Sequence, residues 1–223
     1  MNNRRRVKTR IPTSTRIVLL GPQGSGKGTQ AKLLARRLRL PHVSSGDMFR
    51  EHIKHRTKLG RQVTKRLDAG RLVSDRLTMR MMAERLRRPD CRRGFILDGV
   101  PRTLGQAQAL ARIARPTVVL ALDLSEVEAV RRLSGRRMAP DGTIYHLRYN
   151  PPPKRLRGQL MMRDDDRPAA VRRRLSEYRR KTRPLLRYYR RAGVLAEIDA
   201  RPAIKRVFQD LLRVVRKPTR VRR

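Results

Sequence analysis

The sequence predicts an α/β protein with a parallel sheet covered by helices on both faces. Short apolar runs rich in valine, isoleucine and leucine alternate with longer stretches whose apolar residues recur at helical spacing. Near-continuous apolar runs are typical of strands buried on both faces, and strand–helix alternation implies right-handed crossovers between parallel strands. A glycine-rich turn also joins the first run to the first helical stretch. The predicted strands are residues 16–21, 95–99, 117–123 and 194–199.

The stretches between these strands carry apolar residues at the three- and four-residue spacing of amphipathic helices. They are residues 28–38, 74–86 and 125–133. Further along the chain, residues 168–191 predict one long helix. The side chains expected on its inward face are Val171, Leu175, Tyr178, Leu185 and Tyr188. Strand and helix therefore alternate over most of the chain.

Residues 135–166 interrupt this alternation. They contain three consecutive prolines and no long periodic stretch, and a segment of this length without regular structure is typical of a functional lid or a linker. Because "TIYHLRY" within it can form a short strand, we predict a small folded lid.

Composition limits the class of protein. The 223 residues are enough for a sizeable core and suggest one domain, or one domain with insertions. The single cysteine, Cys91, excludes an intramolecular disulfide and a multi-cysteine zinc site, so we expect no zinc and a reducing compartment. No apolar stretch approaches the roughly 20 residues of a membrane span, which predicts a cytoplasmic protein without a membrane partner. Residues 1–16 are basic and free of acids. They are interpreted either as a solvated tail or as a transit peptide, which would indicate the mitochondrial matrix.

The formal net charge is +40, because 58 residues are lysine or arginine and 18 are aspartate or glutamate. Forty-eight of the basic residues are arginines, and they are spread along the whole chain. A GC-rich coding bias would scatter arginine in this way, and so would a surface that binds polyphosphate or RNA. Composition does not decide between the two, but a field of this strength predicts non-specific RNA binding at low salt.

The glycine-rich turn has the spacing of a phosphate-binding loop. In "GPQGSGKGTQ", Gly21, Gly26 and Lys27 fit the pattern G-x-x-x-x-G-K between a strand and a helix. Glycines allow successive backbone N–H groups to point into one concavity, and the following helix N-terminus adds partial positive charge. Lys27 would then reach the β- and γ-phosphates. The hydroxyl expected directly after the lysine is absent at Gly28 and comes one position later, at Thr29.

A second polar cluster follows the predicted strand in "FILDGVPRT". Asp98 would lie at the carboxyl end of the sheet beside the glycine-rich turn, where phosphoryl-transfer sites hold Mg²⁺, often through water. Arg102 can present its planar guanidinium to a phosphate.

Together these motifs resemble those of the adenylate kinase family. "GPQGSGKGTQ", "SSGDMFR", "DGVPRT", "RDDD" and "RRRLSEY" occur in its order and spacing over residues 16–215. The shifted threonine is a mark of that family, whereas Val100 replaces its usual phenylalanine. The resemblance implies a P-loop three-layer fold, with a five-stranded parallel sheet flanked by helices and with two insertions. It also implies a monomeric phosphotransferase that converts MgATP and AMP into two ADP, with Mg²⁺ as the cofactor.

The resemblance assigns residues to both nucleotides. Those on the ATP side are Gly24, Ser25, Gly26, Lys27, Gly28, Thr29, Arg136, Ile144, Tyr145 and Arg201. Those on the AMP side are Ser45, Arg50, Arg71, Leu72, Val73, Gly99, Val100, Pro101, Arg102, Gln106, Arg163 and Arg174. Gln106 would contact the adenine edge.

The resemblance also implies a set of charged groups around the transferring phosphoryl group. It consists of Lys27, Arg102, Arg132, Arg136, Arg163, Arg174 and Asp98. Asp165 and Asp166 would orient Arg163 and Arg174. Such a set suits phosphoryl transfer, in which the protein contributes positioning and electrostatics. Any single arginine of this chain could equally be a solvated surface residue. Only their positions within the motifs distinguish the predicted site arginines from the others.

The same resemblance predicts how the chain is divided. The expected parts are a basic N-terminal tail (1–16), a core (17–43, 74–134 and 167–215), a nucleoside-monophosphate-binding arm (44–73), a lid (135–166) and a basic C-terminal tail (216–223). The arm and the lid would close over the substrates, because water in the site would accept the phosphoryl group.

Two alternatives remain at this point. A UMP/CMP-type kinase would usually have asparagine where this chain has Thr103 and Gln106. An RNA- or ribosome-associated protein with a retained kinase fold would explain the net charge. The presence of Lys27, Asp98 and Arg102 argues against a fold that has lost catalysis.

Overall fold

The computed structural model describes residues 15–68, 73–163 and 166–216. Its centre is a five-stranded parallel sheet in the order β2-β3-β1-β4-β7, which confirms the predicted fold class. The strands are β1 (Thr15–Leu20), β2 (His42–Ser44), β3 (Gly94–Asp98), β4 (Val118–Asp123) and β7 (Leu195–Asp199). Two shorter strands, β5 (Arg136–Met138) and β6 (Ile144–His146), form a separate antiparallel pair within the segment predicted as a lid.

Helices cover both faces of the large sheet. They are α1 (Lys27–Leu38), α2 (Ser45–Lys54), α3 (Lys58–Asp68), α4 (Asp75–Leu86), α5 (Leu104–Ala114), α6 (Glu126–Ser134), α7 (Pro168–Glu177), α8 (Pro184–Arg191) and α9 (Ile204–Arg216). Successive residues of β1 point to opposite faces, so Ile17 and Leu19 join one core cluster whereas Val18 and Leu20 join the other. The first cluster lies under α1, α6, α7 and α9, and the second under α4, α5 and α8. None of the described helices is long and apolar enough to cross a membrane.

The prediction of one regular helix over residues 168–191 is wrong. A π-helical turn, Tyr178–Thr182, separates α7 from α8, and the Arg183 N–H donates to the Tyr178 carbonyl at 2.8 Å. Pro184 explains the break, because proline has no N–H and its ring clashes with the carbonyl four residues earlier. The wider turn rotates the following residues, so Tyr189 is buried in place of the predicted Tyr188.

The parallel sheet gives the molecule two distinct ends. We call the end at which the strands finish the carboxyl end of the sheet, and the opposite end its amino end. The glycine-rich turn follows β1 and Ser45 follows β2, while Gly99 and Arg102 follow β3. All of these residues therefore lie at the carboxyl end, where ligand sites of open α/β sheets form.

Candidate active site

The glycine-rich turn curls between β1 and α1. Gly24 has a φ of +85°, and a Cβ on it would lie 2.7 Å from the Ala129 carbonyl oxygen of α6. Both its backbone conformation and its close contact with α6 therefore require glycine. Gly26 precedes α1 with a φ of +88°, and Lys27 is the first helical residue. The loop thus places a helix N-terminus and a lysine at the carboxyl end of the sheet.

Four of the predicted charged groups act electrostatically on Lys27. Its Nζ donates to the carbonyl oxygens of Gly21 and Pro22, each at 2.7 Å. The pKa of Lys27 is lowered to about 8, chiefly by burial; the nearby Asp98 carboxylate opposes this shift, and repulsion from Arg102 and other arginines contributes to it. The arginines beyond Arg102 that act on it are Arg174 and Arg136. An anionic ligand is therefore favoured in the space between them.

Asp98 closes one side of this space. Its register opposite Leu19 of β1 and Ser44 of β2 puts the carboxylate at the end of the sheet. The side chain is 15% exposed, and Oδ2 lies 3.7 Å from Nε2 of His42. A Cβ on Gly28 would be 3.5 Å from the same oxygen, which is ordinary contact, so space does not require glycine there. Asp98 is thus directly beside the first turn of α1.

The segment after β3 lies against the start of α2. A Cβ on Gly99 would lie 2.6 Å from Oγ of Ser45, so these two predicted residues are in contact. Nε of Arg102 donates to the Gly99 carbonyl at 2.8 Å, which folds the guanidinium back over this turn. Thr182, in the π-helical turn, donates its hydroxyl to the Arg102 carbonyl at 3.0 Å and holds the segment from the other side.

Gln106 is held by a network that the sequence did not reveal. Its Oε1 accepts the Arg102 backbone N–H at 2.7 Å, and its Nε2 donates to Oδ1 of Asp75 at 2.7 Å. The Thr103 hydroxyl donates to the other oxygen of Asp75 at 2.5 Å and accepts the Gln106 backbone N–H. A flipped amide would set oxygen against carboxylate, so the network fixes its orientation. In the sequence, Asp75 looks only like an acidic residue in the first turn of a helix capped by Ser74.

A buried carboxylate joins two of the predicted arginines. Asp166 is 3% exposed and accepts two hydrogen bonds from Arg136, one of them from Nε at 2.7 Å. Nη1 of Arg174 lies 3.9 Å from the same carboxylate. The Asp166 N–H donates to the Arg163 carbonyl at 2.9 Å, so Arg163 is joined to this cluster through the backbone. The predicted Asp165 lies outside the described residues.

Three other predicted residues make contacts within the protein. Arg132 donates to Glu128 at 3.0 Å and to the carbonyls of Ala200 and Arg201 at 2.9 and 3.1 Å, so it connects α6 to the segment after β7. Arg201 is paired with Asp199 and is largely exposed. Arg50 is paired with Asp47 on the surface of α2.

The remaining predicted nucleotide contacts are partly described. Val73 is half-buried just before α4, and Ile144 and Tyr145 are half-buried in β6. Val100 and Pro101 are buried in the turn after β3. Arg71 and Leu72 lie outside the described residues.

A glycine-rich loop at a helix N-terminus, one carboxylate beside it and several converging cations at the carboxyl end of a parallel sheet define a P-loop phosphotransferase. The model of the adenylate kinase family matches residues 19–194. The chain therefore belongs to the adenylate kinase family.

Individual relatives agree with this assignment. An adenylate kinase of Methanothrix thermoacetophila is 44% identical over 211 residues, which cover 90% of this chain and 98% of that protein. One from Moorella thermoacetica is 48% identical over 203 residues, covering 86% of this chain and 94% of that protein. One from Anaeromyxobacter dehalogenans strain 2CP-1 is 47% identical over 194 residues, covering 82% and 91%.

Proposed function

We propose that the protein catalyses reversible phosphoryl transfer from MgATP to AMP, which yields two ADP and balances the adenine nucleotides. The observation that carries this proposal is that Lys27 begins α1 at the glycine-rich loop, while the buried Asp166 joins Arg136 and Arg174, whose charges act on Lys27. The family membership and the relatives named adenylate kinase support the same activity. The protein acts as an ATP:AMP phosphotransferase.

The charged side chains act by positioning and electrostatics. In phosphoryl transfer, charge spreads over the equatorial oxygens of the transferred group. Lys27 leaves the two loop carbonyls for the β- and γ-phosphates, because a phosphate oxygen is the stronger acceptor. Asp166 holds Arg136 and Arg174 in place before the substrates arrive, so these cations need little reorganisation at the moment of transfer. Arg102 and Arg163 complete the set.

Asp98 and Thr29 are the residues that would hold the magnesium ion carried by ATP, Asp98 through water. Bound magnesium would neutralise phosphate charge during transfer. Within the described ranges there is no group of three or more histidine, cysteine, aspartate or glutamate residues that could hold a metal. A single carboxylate beside the phosphate loop fits Mg²⁺, which keeps much of its water and binds through substrate phosphates.

Gln106 selects the acceptor base. With its amide fixed by Asp75 and Arg102, it retains one Nε2 proton and one Oε1 lone pair for the edge of a base. Adenine offers an acceptor beside an amino group on its Watson–Crick edge and matches this pair. Uracil and guanine instead present an N–H beside a carbonyl on this edge and leave buried polar groups unpaired, which costs transition-state binding.

The arm (44–73) and the lid (135–166) close over the core (17–43, 74–134 and 167–215). In the arm, α2 packs closely on α3, since a Cβ on Gly60 would overlap the His52 carbonyl oxygen at 1.9 Å. In the lid, the β5–β6 pair forms a small folded unit, and the ion pair between Arg136 and Asp166 joins its two ends. Each insertion is thus compact enough to move as a unit and exclude water.

We further infer a cytoplasmic monomer that attracts RNA non-specifically at low salt. The relatives from archaea and bacteria support the compartment, and the net charge of +40 supports the attraction.

We also infer that the protein holds no structural zinc, because Cys91 is its one cysteine. Metal analysis of protein purified without chelators should find zinc well below one ion per chain. A stoichiometric amount would contradict the inference.

The activity is tested by a coupled assay of ADP formation with ATP and each of AMP, UMP, CMP and GMP. We expect kcat/KM to be highest for AMP by at least about tenfold. Comparable values for UMP or CMP would indicate a pyrimidine monophosphate kinase, and turnover of none of the four would contradict the proposal.

A further inference from the structure

Arginines collect at the amino end of the sheet, away from the proposed active site. Four strands are preceded by an arginine within four residues: Arg39 before β2, Arg93 before β3, Arg115 before β4 and Arg191 before β7. In the remaining strand, β1, Arg16 is the second residue, and its Nη1 donates to the Arg115 carbonyl at 3.3 Å. Since all five strands are parallel, these positions share one end of the molecule.

The four strand-leading arginines are exposed and carry unneutralised charge. Within the described chain, the side chains of Arg39, Arg93, Arg115 and Arg191 form no ion pair or hydrogen bond. Their neighbour Arg190 differs, since it pairs with Glu197. The positive charge of the four is therefore available to a ligand.

The helix dipole accounts for only part of this arrangement. Helices α1, α5 and α8 end here, and a cation in the last turn of a helix is favoured by its partial negative charge. This effect fades within one turn, so it does not explain Arg93, which directly precedes a strand. Acids would also be expected to balance a purely structural excess. Asp90, just before β3, is already paired with Arg85, and the strands that end in an acid, at Asp98, Asp123 and Asp199, place it at the opposite end.

A cleft at this end offers flat surfaces next to the positive charge. It has a volume of about 440 Å³, and its lining includes Arg112, Arg115, Tyr188 and Tyr189. The two tyrosine rings lie edge to face with centroids 5.0 Å apart. Tyr189 is 2% exposed, and its hydroxyl has no hydrogen-bond partner in the described part of the chain. Aromatic rings and guanidinium planes are the groups on which unpaired bases stack.

The basic termini join the described chain at the same end. Residues 1–14 precede Thr15 at the start of β1, and residues 217–223 follow Arg216 at the end of α9, which runs back from the carboxyl end. These two segments contain five and four basic residues, respectively, and no acids.

We propose that the amino end of the sheet is a binding surface for single-stranded RNA, separate from the nucleotide site. The proposal rests on the attraction of RNA inferred above and assigns a location to it. Phosphates contact the strand-leading arginines, and a base enters the cleft beside Tyr188. A membrane fits this surface less well, because most of the exposed large apolar residues, such as Val127, Leu147 and Met161, lie elsewhere, and beside the cleft Ile113 stands among arginines. The two ends of the sheet bind their ligands simultaneously.

The test compares two triple variants of the full chain that lose the same charge. The first is Arg39→Gln, Arg93→Gln and Arg115→Gln. The control is Arg80→Gln, Arg155→Gln and Arg172→Gln, whose arginines are exposed and unpaired in the described chain but lie in α4, the lid and α7. Binding of a fluorescent 20-nucleotide oligo(U) is measured between about 50 and 300 mM salt. Melting temperatures verify that both variants are folded.

We expect the first variant to bind oligo(U) about tenfold more weakly. The slope of log affinity against log salt concentration should become shallower by roughly two, as the loss of three phosphate contacts predicts. The control should change less than threefold. Saturating ADP with magnesium should not displace the RNA. Equal losses of oligo(U) affinity in the two variants, or displacement of the RNA by ADP, would contradict an RNA-binding site at the amino end of the sheet. Failure of the unmodified protein to bind at 50 mM salt would overturn the attraction itself.

Two further experiments test whether bases stack in the cleft and whether the surface binds lipid, apart from its attraction of negative charge. Tyr188→Leu should weaken oligo(U) binding several-fold and leave heparin binding unchanged, because heparin has no bases. Equal effects on both ligands would contradict base contact in the cleft. Vesicles of phosphatidylserine and phosphatidylcholine should compete poorly with oligo(U). Tight vesicle binding that depends on the same three arginines, without RNA binding, would identify a membrane surface instead.

Discussion

The two ends of the central sheet carry the same cation in opposite surroundings. At the carboxyl end, the Arg136 guanidinium is bonded to the buried carboxylate of Asp166, and the charges of Lys27 and Asp98 act on each other. At the amino end, Arg39 and Arg93 project into solvent without a carboxylate. Paired cations are held rigidly for one small ligand, whereas unpaired ones can follow a flexible polyanion.

This difference shows why the number of arginines says little about function. The chain has 48 of them, and what separates one from another is the carboxylate or carbonyl that each one contacts. Each of the following experiments substitutes a residue at the carboxyl end of the sheet. Most of them use a substitution of an exposed residue elsewhere as the control.

The largest effect should follow from removing a cation of the carboxyl end. Lys27→Met and Arg102→Ala should each lower kcat/KM by at least about a hundredfold, or roughly 2.7 kcal/mol of transition-state stabilisation. The reference is Arg87→Gln, an exposed arginine near the amino end, which should leave kcat/KM unchanged. Steady-state kinetics measure all three. Near-normal rates in folded Lys27→Met protein would exclude its proposed role.

The buried carboxylate should matter for both stability and rate. Asp166→Asn leaves Arg136 without its charged partner, so we expect the free energy of unfolding to fall by about 3 kcal/mol and kcat by some tens-fold. Urea denaturation and kinetics measure these changes. The matched variant Asp199→Asn removes the exposed partner of Arg201 and should not measurably change stability. Equal stability of the two variants would show that the Asp166 pair is not structural.

The pH dependence of ATP binding should report on Lys27. Its pKa is lowered to about 8 in the free protein by burial, and bound phosphates should raise it. Below pH 8 the lysine is protonated in both states, so affinity is flat. Above pH 8 binding must take up a proton, so affinity should fall by up to about tenfold per pH unit until the bound-state pKa is reached.

Calorimetry of ATP binding between pH 6.5 and 9.5 tests this dependence. In buffers of different ionisation enthalpy it should detect proton uptake near pH 9. Lys27→Arg should remove the dependence, because a guanidinium stays protonated throughout. A flat profile in the unmodified protein would place the lysine pKa well above 8.

A smaller effect is expected from Asp75, which acts through another residue. Asp75→Asn lets the Gln106 amide rotate, so KM for AMP should rise about fivefold and selectivity over GMP should fall, with KM for ATP unchanged. The reference is Glu84→Gln, an exposed acid of the same helix. If KM for AMP and KM for ATP rise together, the role of Asp75 is structural and not one of positioning.

The sequence predicted those parts of the fold in which an apolar run or a helical spacing of apolar residues extends over several residues. Four of the five sheet strands are continuous apolar runs, whereas β2 has only three residues, His42–Ser44, which are too few for a pattern. The long helix was mispredicted because its apolar spacing continues through Pro184, while the backbone cannot. Local sequence does not include tertiary contacts such as that between Thr182 and the Arg102 carbonyl.

For the candidate site, the sequence located residues but not their partners. Motif spacing found Lys27, Asp98 and Gln106, because loops after parallel strands must meet at one end of the sheet. It missed Asp75, which reaches Gln106 only through the packing of α4 against α5. The roles of these residues stay predictions until the variants are measured.

The ion pair of Arg136 and Asp166 has a consequence for how the family can change in length. It joins the first residues of the lid segment to its last, 30 positions apart, so the segment begins and ends at one fixed point. Doubling the length of a closed loop costs only about 0.6 kcal/mol of chain entropy. Insertions and deletions between these two residues should therefore be tolerated without displacing the cations beneath them.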